Sequence, residues 1–190
     1  MSTWVFGYGS LVSPASTAET IGRVVGSDDD YGPALLDRFG RRWNYGSLRQ
    51  RATWSGPFGR VEGGIVVSLG IEAAPAERTN GSVVRVDGDE LARLDRRESD
   101  YDRVDVTSLI TSAVLPPGAT VMTYVPRASA IERYVRSRDE RRGAVRQGYV
   151  DLVRQAFADL GVGELDRYHA TTPDPDVPTV PFEARWLTDR

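Results

Sequence analysis

Trp4-Val5-Phe6-Gly7-Tyr8-Gly9-Ser10-Leu11 is an apolar run that stops in a glycine-rich turn. Its aromatic and β-branched residues, from Thr3 to Tyr8, read as a buried strand. Glycine lets the backbone bend sharply and lets a ligand approach main-chain N–H groups closely. The run is therefore a candidate cradle for a carboxylate or a developing oxyanion. A dinucleotide site is a poor fit, because the third glycine of G-x-G-x-x-G falls on Val12, Pro14 follows, and no βαβ unit emerges. A tight turn without a ligand is the plain alternative.

Outward from this turn, Ser13 with Pro14 opens a short helix to about Val24, as N-cap and first helical residue. Residues 34–45 read as extended. Gln50 to Phe58, with Gly56-Pro57, reads as loop-rich. Val61 to Leu69 is a strong strand, with Gly63-Gly64 marking a bulge or a close approach. Val83 to Val86 is a further strand. Glu90 to about Arg97 is a helix entered through Asp87-Gly88-Asp89. Asp102 to Thr111 alternates as a strand, Pro116-Pro117-Gly118 turns, and Thr120 to Val125 is a strand again. From Ala130 to Leu160 the pattern is helical, broken around Arg142-Gly143. Tyr149, Leu152, Val153, Ala156 and Leu160 form an apolar stripe, and Gly161 is a cap. Residues 162–190 form a proline-rich C-terminal extension, within which Thr171 to Pro181, with four prolines, should run over the surface, pinned by Phe182 and Trp186. The strands and helices do not alternate regularly, so the fold class is α+β with antiparallel or mixed pairing in a single domain, 1–190. Tyr45-Gly46-Ser47-Leu48 echoes Tyr8-Gly9-Ser10-Leu11, but no longer similarity surrounds it and it reads as coincidence.

Composition removes several chemistries. All 24 basic residues are arginine, so a Schiff-base or P-loop lysine is excluded. With no cysteine, thiol nucleophiles, disulfides and thiolate metal sites are excluded too. One histidine and scattered acids make no ligand cluster, so no metal or cofactor is expected. The net charge of −3 gives no reason to expect nucleic acid or a membrane as a partner. No basic segment with an apolar run follows the start, and the expected location is the cytoplasm. A Ser-His-Asp hydrolase would have to pair Ser10 with His169, the only histidine.

A second segment, Leu94-Asp95-Arg96-Arg97-Glu98-Ser99-Asp100-Tyr101, offers a carboxylate for acid–base work. Its plain reading is a charged helix end laced with ion pairs. The two segments together resemble the γ-glutamylcyclotransferase family (ChaC-like and AIG2-like proteins), and the first run is especially similar to the ChaC-type branch. The resemblance implies a small, mixed, partly closed β-barrel with flanking helices. It implies Glu98 as the catalytic acid–base. It places Gly7, Tyr8, Gly9, Ser10, Leu11, Tyr101 and Tyr134 around the substrate. It also implies a cofactor-free transferase or lyase, monomeric or homodimeric, that closes a small-molecule γ-glutamyl substrate to 5-oxoproline. Residues 43–58 depart from the ChaC-type pattern, so glutathione, other γ-glutamyl amides and γ-glutamyl amines stay open as substrates. The rival from another class is a non-catalytic module on the same fold that binds a carboxylate metabolite.

Overall fold

β1 (Thr3–Gly7) is buried on both faces, and that places it at the centre of the sheet. A computed structural model describes residues 2–26 and 29–182 together with the backbone of 185–186. In it Trp4 and Phe6 enter the main core, while Val5 enters a second cluster with Ile21, Val84 and Leu94. A strand covered on both sides needs a continuous apolar run rather than an alternating one. After β1 come α1 (Pro14–Ile21), β2 (Tyr31–Gly56), β3 (Gly59–Val86), α2 (Gly88–Arg97), β4 (Tyr101–Asp105) and β5 (Ile110–Thr111). Then follow β6 (Thr120–Pro126), α3 (Ala128–Asp139), β7 (Gly143–Arg146), α4 (Gln147–Leu160), α5 (Glu164–Thr171), β8 (Thr179–Val180) and β9 (Arg185–Trp186).

The main path of the mixed sheet is β4-β6-β1-β3-β2-β5. β1 runs parallel to β6 and antiparallel to β3. The stretch from Asp102 to Thr111, expected as one strand, divides. β4 pairs with β6 at one edge and β5 pairs with β2 at the other, with a 3₁₀ turn at Thr107–Leu109 between them. Five residue steps, at most ~18 Å of chain, separate Asp105 from Ile110. The two edges are thus held near each other, and the sheet curls part of the way to a barrel. No ladder joins β4 to β5 among the described residues.

β2 and β3 form one long hairpin from Tyr31↔Val84 to Gly56↔Gly59, with four register shifts. Arg38, at φ 65°, occupies the first shift. Such shifts bend and twist a ribbon, so the near half completes the main sheet while the far half carries a third apolar cluster around Trp54. One expectation is corrected here. Gln50 to Gly56 is strand, leaving only Pro57 and Phe58 in the turn. Tertiary contact overrides the local turn signal: Trp54 is buried, stacks on Phe182 at 5.3 Å and lies over Gly64, where any Cβ would strike its ring. Trp54→Ala is expected to cost about 3–5 kcal/mol, read as a lower denaturation midpoint.

The helix caps follow the expected chemistry. Ser13 accepts from the Ser16 N–H at 3.3 Å, and Asp87 with Glu90 forms a capping box at 2.8 and 3.0 Å. The break near Arg142 contains β7, which pairs parallel with β3. α4 buries Val150, Val153, Ala156 and Phe157, so Leu152 faces out, one position off the expected stripe. Residues 162–182 are not a loose surface strap. They contain α5 and β8, and Tyr168 and Val177 enter the main core. The Trp43 Nε1–H donates to the Pro173 carbonyl at 3.0 Å and holds this segment down. The Trp186 side chain, offered as a second pin, lies outside the described residues. Among those residues, no helix is long and apolar enough to cross a membrane.

Candidate active site

The turn after β1 is held in a shape that ties back its carbonyls from Gly9 to Val12. A Cβ on Gly7 would come within 2.7 Å of Leu11 Cβ and 2.9 Å of the Leu11 carbonyl carbon, so the chain can fold back this tightly only at glycine. A 3₁₀ turn, Ser10–Val12, follows. All four carbonyls from Gly9 to Val12 are occupied. Gly9 O accepts from Val12 N at 3.0 Å and Ser10 O from Ser13 N at 3.1 Å. Leu11 O accepts from Thr17 Oγ1 at 3.0 Å, and Val12 O from the Tyr31 hydroxyl at 2.6 Å. The N–H groups of Gly9, Ser10 and Leu11 have no hydrogen-bond acceptor among the described residues. A loop with its acceptors tied back and its donors free suits an anionic oxygen.

Glu98 caps the C-terminus of α2, where its N–H closes the last turn on Leu94 O at 2.8 Å. Its side chain is 14% exposed and meets Arg97 Nε at 3.0 Å. Burial raises the Glu98 carboxyl above its ordinary range, and the Arg97 charge opposes that rise. Burial and the neighbouring Glu98 charge together push the Tyr8 hydroxyl well above the usual phenol range. Tyr101 is raised chiefly by burial, and Tyr8 and Glu98 add to the effect. Both phenols are therefore neutral donors near neutrality. The Tyr8 hydroxyl donates to Tyr124 O at 2.7 Å, and the Tyr124 hydroxyl donates to Asp95 Oδ1 at 2.8 Å, which ties β1, β6 and α2 together.

A narrow pocket of about 40 Å³ joins these parts. It is lined by Tyr8, Gly9, Ser10, Leu11, Glu98 and Tyr101, with Tyr124 and Tyr149 among its other walls. Ser10, Glu98, Tyr101 and Tyr149 also line an outer cleft of about 540 Å³. The structure thus gathers six of the eight residues named from sequence around one pocket. Gly7 shapes the turn behind it. Tyr134 lies elsewhere: its ring packs in the main core and its hydroxyl donates to Asp176 at 2.5 Å. Ser10 Oγ accepts from Arg97 Nη2 at 2.9 Å, whereas His169 borders a separate surface cleft with Arg42, Glu77 and Arg78, so no Ser-His pair forms.

Sequence reading missed three contributors. Arg97 passed as an ordinary helix-end charge. Tyr45 stacks on Tyr101 with centroids 4.5 Å apart, and with Ser47 and Gln50 it walls the outer cleft. The echoed tetrapeptide from Tyr45 was the one signal for this wall, though it marks no repeat. Tyr149, assigned to the apolar stripe of α4, brings its hydroxyl to within 2.8 Å of where a Cβ on Gly9 would sit.

No family model matches the sequence, and no curated protein does. Solved structures do match. One described as a gamma-glutamyl cyclotransferase has a TM-score of 0.55 at 15% identity, covering 92% of this chain and 90% of its own. A yeast gamma-glutamyl cyclotransferase described as specific to glutathione scores 0.53 at 13% identity, covering 90% and 97%. An uncharacterized protein from Homo sapiens scores 0.52 at 15% identity, covering 91% and 89%. At these identities the likeness is one of fold, and the chain has the γ-glutamyl cyclotransferase-like α+β fold.

Proposed function

We propose that this chain is a γ-glutamylcyclotransferase, which closes the γ-glutamyl group of a small γ-glutamyl amide or peptide to 5-oxoproline and releases the amine. The observation that carries the proposal is a largely buried carboxylate, Glu98, in the same pocket as a loop whose N–H groups from Gly9 to Leu11 are unpaired among the described residues while its carbonyls from Gly9 to Val12 are occupied.

The substrate brings its own nucleophile, which fits a chain without lysine, cysteine or a Ser-His pair. Glu98 takes a proton from the α-ammonium group. The freed amine attacks the γ-carbonyl carbon, forming the ring C–N bond and placing negative charge on the carbonyl oxygen. The N–H groups of Gly9, Ser10 and Leu11 are the donors available to that oxygen or to the α-carboxylate. The amide C–N bond then breaks as Glu98 returns the proton to the leaving nitrogen, and the ring nitrogen gives up its second proton to solvent to leave the neutral lactam. Orientation is the main contribution of the pocket, because an intramolecular attack already has a large entropic advantage. Tyr8 and Tyr101 shape the walls, and the outer cleft has room for the leaving group.

The direct test is 5-oxoproline release from glutathione, γ-glutamyl amino acids and γ-glutamyl amines. Turnover of any one of them supports the reaction and identifies the leaving group. Binding of a γ-glutamyl compound without release across the panel would instead favour the carboxylate-binding module.

A further inference from the structure

One guanidinium bridges Glu98, the Ser10 turn and α1. Arg97 ends α2, and its Nε lies 3.0 Å from Glu98 Oε1. Its Nη2 donates to Ser10 Oγ at 2.9 Å and to Ser16 Oγ at 3.2 Å. Its Nη1 donates to the Ser16 carbonyl at 3.0 Å and to Thr20 Oγ1 at 2.7 Å. The planar fork thereby ties the acid–base carboxylate, the donor loop and α1 into one unit. Arg96 stands beside it on the same helix end, and its side chain makes no hydrogen bond or ion pair among the described residues. The two arginines carry the same charge, but only one is committed to the site.

We infer that Arg97 is the positioning residue of this site, holding the Glu98 carboxylate against the Ser10 loop in its ionised, proton-accepting form. The inference rests on reading Glu98 as the acid–base group. A delocalised guanidinium does this better than an ammonium, because its five donors have a fixed geometry and can serve several acceptors at once. Glu19 of α1, Arg49 of β2, Arg146 of β7 and Asp100 border the same outer cleft as Glu98. The groups that interact with its carboxyl from the packed elements are Tyr8, Tyr45 of β2, Tyr101 of β4, Tyr124 of β6 and Tyr149 of α4. All five are phenols raised by burial, so they are uncharged near neutrality. Arg97 is the cation that opposes the burial of Glu98.

The test compares Arg97→Met, Arg97→Lys and Arg96→Met in the full chain, each checked for folding by its thermal transition. Removing the Arg97 charge leaves burial unopposed, so the acidic limb of the pH–rate profile should move to higher pH in Arg97→Met. Its kcat should fall about 10–100-fold, the scale of a misplaced catalytic group, with a much smaller change in KM. Arg97→Lys keeps the charge and loses the fork, so it should restore the limb but not kcat. Arg96→Met should match the wild type. An Arg97→Met profile and kcat indistinguishable from those of Arg96→Met would overturn the inference. If the wild type releases no 5-oxoproline, the proposed reaction fails, and Arg97 is then judged by carbon-13 NMR titration of the Glu98 carboxyl. An upward shift of the midpoint in Arg97→Met alone supports the positioning role, and equal midpoints in all variants refute it.

Discussion

Glu98→Gln is expected to abolish 5-oxoproline release while leaving the protein folded. Gln is nearly isosteric, so it keeps the pocket filled and an oxygen facing Arg97, but it cannot accept the proton of the α-ammonium. General acid–base groups contribute about 10²–10⁴-fold, and here one residue serves both proton transfers, so the loss should lie at the upper end. The pH dependence has a definite sign. Burial raises Glu98 above the ordinary carboxylate range, and the base works only when ionised. Wild-type kcat/KM should therefore fall as pH drops through the folded-state value, in a limb that lies above the usual carboxylate titration. Stability should respond in the opposite sense. Between the unfolded and the raised folded value the native state holds more protons, so stability falls as pH rises through that window. Above the window the wild type keeps a buried charge that the Gln variant lacks. Glu98→Gln should thus show a higher denaturation midpoint than wild type at neutral pH, with the difference closing in acid. Full activity in the folded variant would sink the assignment of Glu98. An inactive variant that is also less stable at neutral pH would refute the claim that burial dominates its environment.

Gly7→Ala is expected to lower kcat/KM at least about 100-fold, the scale seen when catalytic donors are displaced, without dismantling the sheet. The added methyl would meet the Leu11 Cβ and carbonyl carbon at 2.7 and 2.9 Å. One of those atoms is backbone, so no rotamer change relieves the clash and the turn must open. Opening it breaks the set of tied carbonyls from Gly9 to Val12 and moves the free N–H groups. The strand itself is unaffected: Trp4, Val5 and Phe6 are fully buried and paired on both sides. The measurement is steady-state kinetics beside circular dichroism. A folded variant with wild-type kcat/KM would show that the shape of the loop is irrelevant to turnover.

The candidate site was legible where function and local geometry coincide in sequence. The glycine turn needs small residues at fixed positions just after an apolar strand. Glu98 sits at the end of a helix with readable caps, and its segment resembles a known family pattern. Arg97 was visible as a letter but not as a role. A helix-end arginine is usually solvated, and only the packing of α1 against α2 places Ser16 and Thr20 within its reach. Tyr45 was marked only by the echoed tetrapeptide, because its stacking on Tyr101 joins β2 to a segment more than fifty residues away. Tyr134 shows the reverse error. Its position in the later helical segment suggested the pocket, but the descending tail supplies Asp176 as its hydroxyl partner and keeps it in the core.

By itself, the sequence determined the mixed α+β class, the buried first strand with its glycine turn, the helix caps, and the absence of any lysine or cysteine chemistry. These are properties of short segments, governed by side-chain size, backbone freedom and side chain–backbone hydrogen bonds within a few residues. The tertiary structure decided the 26- and 28-residue strands of the bent hairpin, the small strand hidden in the helical stretch, and the docking of residues 162–182. It also decided which charges and phenols meet at Glu98. Those features depend on contacts between residues distant along the chain, where burial of Trp54 and Tyr168 outweighs the local preference for turn or loop. One sequence read segment by segment contains no record of which distant segments will share that burial.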